Sequence, residues 1–196
     1  IGLREGFKDA TKGTIFFYIA RIIEQTMPKV VFLENVENLV SHDGGNTFKI
    51  ILNTLENELN YHVVGVTRGE DGSLIYDKSS FIRNTKNFGL PQNRPRVYIV
   101  AFSRDYFGEH LQLIPDSTPV RNNRVIFGSV RDILDEYVPD SFFLASGFLE
   151  TLQNHKTRQR KNGNGFGYRI VNAEGVENPI SSTLLATGGS GKERNL

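Results

Sequence analysis

Lys29-Val30-Val31-Phe32-Leu33-Glu34-Asn35-Val36-Glu37-Asn38-Leu39 is the stretch on which the fold turns. Pro28 introduces a continuous apolar run with two adjacent valines, too short for an independent helix. Such a run predicts a buried strand of a parallel sheet. It breaks off at Glu34 and Asn35, which places a carboxylate at the carboxyl end of its strand. In open α/β sheets that edge is where ligands bind. Two readings of Glu34 stand side by side. It is the chemical centre of the protein, or it is a strand-end residue that faces solvent or caps the next helix.

Outward from this stretch the pattern repeats. Ile1 to Gly13 holds Gly2, Gly6 and Gly13 and reads as a loop. Thr14 is placed to cap a helix over Ile15 to Gln25, in which Ile15, Ile19, Ile22 and Ile23 share a face that Phe16 and Tyr18 broaden. Met27-Pro28 stops it. After Glu34 comes a loop through Ser41-His42-Asp43-Gly44-Gly45. Then follows a second helix with Phe48, Ile51, Leu52, Leu55 and Leu59 as its apolar stripe. Tyr61 to Val66 reads as a second strand. Helix, strand, helix, strand argues for right-handed βαβ units, an α/β fold with a mostly parallel sheet. His42 and His62 have no partner at metal-ligand spacing, so capping or partial burial accounts for them.

Composition narrows the class. The chain has 196 residues, enough for one domain or two small ones, with 38% hydrophobic and 23% charged residues, an ordinary globular balance. Net charge is +1, so an argument for nucleic acid must come from local clustering. There is no cysteine, which excludes disulfides, thiolate metal sites and a cysteine nucleophile within these residues. With no long apolar run and no signal-peptide pattern, a cytoplasmic location is expected. The sequence opens on Ile1 rather than Met, and a piece of a longer chain is expected.

Two later segments concentrate chemistry. Asn87-Phe88-Gly89-Leu90-Pro91 predicts a turn back to the sheet. Gln92-Asn93-Arg94-Pro95-Arg96 then leads into the apolar Val97 to Phe102. On extended chain a spacing of two puts both guanidiniums on one side, where two forks suit a phosphate or a base edge. A solvated strand entrance is the plainer alternative. Val125 to Leu134 is expected to form one more strand and a helix start. From Thr151 to Ala173 there are five basic residues, Lys156, Arg158, Arg160, Lys161 and Arg169, and no acid. Among them lies Asn162-Gly163-Asn164-Gly165-Phe166-Gly167-Tyr168, whose glycines permit close backbone approach. Basic and aromatic residues interleaved this way suit nucleic acid, and a surface loop is the alternative. Gly188-Gly189-Ser190-Gly191-Lys192 lacks the ending of a Walker loop, which excludes nucleotide hydrolysis.

Taken together, these pieces resemble the cytosine-C5 DNA methyltransferases of bacterial restriction-modification systems. Gly2 to Phe17 is similar to the family's stretch after its catalytic loop. Phe32-Leu33-Glu34-Asn35-Val36 resembles its Glu-Asn-Val motif, and Ser41-His42-Asp43 through Thr47 looks like bacterial members. Gln92 to Arg96 resembles the Gln-x-Arg-x-Arg motif, and Thr183-Leu184 the Thr-Leu pair of the target recognition domain. The Gly-rich turn for S-adenosylmethionine, the Pro-Cys nucleophile and the last two family motifs are not among these residues. An internal fragment, inactive by itself, is therefore expected.

The resemblance implies a fold of the S-adenosylmethionine-dependent methyltransferase type, Rossmann-like. Residues 1–136 would belong to the catalytic domain and residues 137–196 to a small, irregular target recognition domain. It implies Glu34 and Arg96 as catalytic residues. Glu34, kept protonated by burial, would hold N3 and N4 of a flipped cytosine, and Arg96 its O2. Ile15 would line the site of S-adenosylmethionine. Asn35, Arg94, Lys156, Arg158, Arg160, Lys161, Gly165, Phe166 and Thr183 would contact double-stranded DNA, with Arg94 and Thr183 at phosphates and the Gly163 to Tyr168 stretch in the major groove. No metal and no membrane are implied, and a monomer is expected. An RNA cytosine methyltransferase and a non-catalytic DNA-binding relative are the alternatives.

Overall fold

The structure, a computed structural model, describes residues 14–122, 124–163 and 167–184. The expected loop before Gly13, the candidates Gly165 and Phe166 and the glycines after Thr187 lie outside the described residues. The chain divides into two compact units, Ile1–Arg83 with Pro95–Val120, and Asn84–Arg94 with Arg121–Leu196. The sequence alone suggests a single division near Glu136. The short Asn84–Arg94 segment instead joins the later residues, because it pairs with a strand from them.

In the first unit, helix α1 (Thr14–Thr26) leads into strand β1 (Val30–Val36). Helix α2 (Asn46–Asn53) continues as a π turn over Thr54–Glu58 and is followed by β2 (Tyr61–Val63). A small hairpin of β3 (Thr67–Arg68) and β4 (Leu74–Ile75) precedes β5 (Ile82–Asn84). The isoleucines of α1 do not act as one face. Phe16, Ala20 and Ile23 are buried, with Ile19 packed beside them, whereas Ile15, Tyr18 and Ile22 are exposed. A helix apolar nearly all round has no unique inward stripe, so tertiary packing chooses one.

The sheet corrects the expectation of mostly parallel strands. A long strand (Pro95–Ser103) lies between β1 and β2 and runs antiparallel to both. It becomes β7 once β6 (Gln92–Asn93) of the second unit is counted. Thus β1 and β2 point the same way but are not neighbours. Alternating helices and strands specify an order along the chain, not an order in space.

Nor is β1 buried on both faces. Val31 is buried, while Val30, Phe32 and Val36 are exposed. Strand β7 alternates strictly, with Val97, Ile99, Ala101 and Ser103 inward. Helices α1 and α2 share the core with that inward face through Phe16, Ala20, Phe48, Ile51, Leu52 and Leu55. The register pairs Val30 with Phe102, Phe32 with Val100, Glu34 with Tyr98 and Val36 with Arg96. These residues therefore share the opposite, open face. After β7 the chain makes one further turn of helix, α3 (Arg104–Phe107).

In the second unit β6 pairs in parallel with β8 (Ser181–Ser182). Gly89 adopts φ +82°, and a Cβ there would collide with the Arg124 carbonyl. The Gly89 carbonyl accepts from the N–H groups of Ile126 and Phe127 at 3.1 and 2.9 Å. The turn predicted at Asn87 to Pro91 is thus pinned by a close backbone crossing that only glycine allows. Val125 to Leu134 forms no strand among the described residues. It holds a short 3-10 turn, Val130–Ile133, closed by a capping box between Ser129 and Asp132, in which each residue satisfies a backbone N–H of the other. Helix α4 (Ser146–Lys161) carries the basic run and buries Leu152. No helix of the described residues is long and apolar enough to cross a membrane.

Candidate functional site

Glu34 lies on the open face of β1, and its Oε1 forms an ion pair with Arg96 Nε at 2.9 Å. The Glu34 side chain is 44% exposed and that of Arg96 15%. The strand continues two residues past Glu34, to Val36, so the carboxylate lies within the sheet and not at its end. Expected burial of Glu34 is not found, since nearly half of its side chain is exposed. Arg96 Nη1 donates to the Pro95 carbonyl at 2.7 Å. Among the described residues Nη2 of Arg96 and Oε2 of Glu34 enter neither contact, so the pair is a half-open arrangement.

Asn35 turns its side chain back on the strand, where Oδ1 accepts from the Val36 N–H at 2.8 Å. Ile15 stands in the first turn of α1 with 69% of its surface exposed. Arg94 lies between β6 and β7. Arg94 and Arg96 do not lie on one continuous strand, so the expected shared side is not formed, and the two residues belong to different units.

In the second unit Lys156, Arg158, Arg160 and Lys161 sit on one helix but on two faces, and Arg169 lies outside it. At about 100° per residue, Lys156 and Arg160 lie about 40° apart, whereas Arg158 and Lys161 point elsewhere. Lys156 Nζ lies over the Tyr168 ring, 4.5 Å from its centroid, a cation–π contact. A Cβ on Gly167, φ +152°, would come within 2.8 Å of Lys156 Cγ. The glycine thus lets the chain cross against that lysine. Arg158, Arg160 and Lys161 occupy the last turn, where cations also complement the helix dipole. Thr183 Oγ1 donates to the Asn93 carbonyl at 3.1 Å.

Sequence reasoning missed the buried carboxylate of Glu56. Its side chain is 1% exposed and is paired with Arg68 at 3.1 Å and with Arg104. Its Oε1 accepts from the Val63 N–H at 2.7 Å. A signal was present, since Glu56 lies four residues after Leu52 and eight after Phe48, on the stripe that packs inward. This cluster ties α2 to β2 and to α3.

The C-5 cytosine-specific DNA methylase family matches residues 1–192 of the chain. Type II methyltransferase M.HpaII of Haemophilus parainfluenzae is 40% identical over 195 residues, covering 100% of this chain and 47% of that protein. Type II methyltransferase M1.ScrFI of Lactococcus lactis subsp. cremoris is 40% identical over 174 residues, 88% of this chain and 39% of its own length. A DNA-cytosine methyltransferase of Escherichia coli K12 is 35% identical over 196 residues, 96% of this chain and 38% of its own. The chain spans less than half the length of each of these relatives.

Proposed function

Because the chain belongs to the C-5 cytosine-specific DNA methylase family, we propose that it forms the middle of an enzyme that methylates C5 of a cytosine in duplex DNA, within a restriction-modification system. The observation that carries this reading is the Glu34–Arg96 pair on the open sheet face. C5 of cytosine is a poor nucleophile, and it gains electron density when another nucleophile adds at C6. That addition is easier when N3 accepts a proton or a strong hydrogen bond. No cysteine is present in these residues, so the share of this chain is to hold and polarise the base.

Glu34 receives N3 and N4, and Nη2 of Arg96 donates to O2. With the base seated against Glu34, N3 shares a hydrogen bond with the carboxyl group, and that bond draws electron density from the ring. A base reaches this face only after leaving the helical stack. Arg94, Thr183 and the α4 cations Lys156 and Arg160, which share one helix face, hold the backbone of the duplex.

The family implies S-adenosylmethionine, which when bound supplies an electrophilic methyl group. Ile15 fits an apolar contact to it, being exposed at the start of α1. Among the described residues Ile15 is the one assigned to that donor. The deciding experiment incubates the enzyme that carries this chain with labelled S-adenosylmethionine and duplex DNA or duplex RNA of equal sequence. Label recovered as 5-methylcytosine from DNA is the expected result. Label in RNA alone supports the RNA alternative, and label in neither supports a non-catalytic DNA-binding relative.

A further inference from the structure

Asn84 ends β5, and both ends of its carboxamide are engaged. Oδ1 accepts from the Arg94 N–H at 3.0 Å and from the Lys86 N–H at 3.3 Å. Nδ2 donates to Asn93 Oδ1 at 2.6 Å. As the cap of the 3-10 turn Thr85–Phe88, Asn84 needs only the bond to Lys86, which is the longest of the three. The shorter two go to Asn93 and Arg94, nine and ten residues further on. Pro95 has no N–H, so the Arg94 N–H is the last backbone donor before Arg96, and Asn84 takes it.

The surrounding chain is held in the same way. Thr85 Oγ1 donates to the Gln92 carbonyl at 2.5 Å, the Ser181 N–H to the Pro91 carbonyl at 2.8 Å, and Thr183 Oγ1 to the Asn93 carbonyl. Each residue from Pro91 to Arg94 is thus fixed by a group distant in sequence. A long cationic side chain loses rotamer freedom whenever it grips a phosphate, and a fixed backbone reduces what must be ordered at that moment.

We infer that Asn84 is a positioning residue, which sets the backbone from which Arg94 reaches a DNA phosphate. This rests on the DNA methyltransferase reading and on Arg94 as a phosphate contact. Asp at position 84 keeps the acceptor for both N–H groups, and the Asn93 amide can rotate to donate to its second oxygen. Ala keeps none of these bonds.

The test uses the enzyme that carries this chain, with Asn84→Ala, Asn84→Asp, Arg94→Ala and the Ala double variant. Duplex affinity is measured by fluorescence anisotropy at several salt concentrations, with circular dichroism as the check on folding. Arg94→Ala is expected to weaken binding about tenfold or more, as for one charge-assisted hydrogen bond, and to flatten the slope of log affinity against log salt by about 0.9. Asn84→Ala should do nearly the same and add little to Arg94→Ala, and Asn84→Asp should restore the slope. Additive losses, an unchanged slope in Asn84→Ala, or failure of Asp to rescue overturn the inference. A misfolded Asn84→Ala beside a native Asn84→Asp with a flattened slope does so too. An unchanged slope in Arg94→Ala overturns both the inference and the phosphate role of Arg94, while 5-methylcytosine formed by the wild type in the same preparation keeps the functional reading standing.

Discussion

Arg96 faces Val36 across the strand pair, yet its guanidinium reaches diagonally to Glu34, whose own partner is Tyr98. Diagonal neighbours on one sheet face are within reach only of long side chains, and Arg96 spans the gap with Nε while Nη1 is anchored on Pro95. Among the described residues the carboxylate is held at one oxygen and open at the other. Glu34→Gln in the enzyme should retain duplex binding and lose about two to four powers of ten in turnover, the range of positioned acid catalysis. Turnover within a few-fold of wild type would make Glu34 structural.

Arg96→Lys separates charge from geometry. Lysine keeps the cation, but it has neither the Nε that lies 2.9 Å from Glu34 Oε1 nor the planar fork that serves two partners at once. Turnover should fall by about a hundredfold or more, on the scale of a lost donor to a developing charge. Near-normal turnover in the lysine variant would show that a point charge suffices and that the diagonal contact is incidental.

Helix α4 divides the basic run in a way its composition hides. Lys156 and Arg160 share a face, and Lys156 is stacked on Tyr168 beside Gly167. If that face meets DNA, replacing Lys156 and Arg160 with Ala should lower the salt slope by about 1.8, two contacts at about 0.9 each. Replacing Arg158 and Lys161 should change it by less than half as much. Equal effects from both pairs, or none from either, would defeat this assignment.

These cases show what could be read from residues alone. The helix from Thr14, the β1 run, the stripe of α2 and the strand after Pro95 were legible, because apolar periodicity reports local structure directly. Strand direction and order were not. That β7 enters between β1 and β2 depends on pairing between distant segments, and an apolar run looks alike in either direction. Glu34 and Arg96 were legible as a chemical pair only through resemblance. That they touch, and on an open face, follows from register. The bonds of Asn84 join residues that no local pattern relates.

Glu56 should be a stability residue. Glu56→Gln removes the charge between Arg68 and Arg104 and weakens the acceptor for the Val63 N–H. Breaking a buried pair on one side costs about 3–5 kcal/mol. Both arginines are partly exposed and can turn to water, so about 2–4 kcal/mol is expected, including the compromised backbone bond. Urea denaturation of the enzyme measures it. A loss below about 1 kcal/mol, the level of an exposed pair, would mean that water already screens the cluster.

His62 supplies a pH dependence of known sign. It stands on β2 opposite Phe102, and its pKa is pushed below the ordinary 6.5 chiefly by burial. Glu56 and Asp116 pull it up and Arg104 pushes it down, but these effects do not reverse the direction. The folded chain therefore binds fewer protons than the unfolded chain between the lowered pKa and 6.5, and stability rises with pH through that window. As pH falls below about 6.5 the unfolded state takes up the proton first and stability is lost. Once pH passes below the folded pKa, His62 is charged in both states and the loss stops growing. His62→Gln cannot titrate, so its stability should fall less between neutral pH and about pH 5 than that of wild type. Urea midpoints for the two proteins across that range decide the matter. Parallel curves, or a wild type that holds its stability better than the variant on acidification, would show that His62 is solvated in both states.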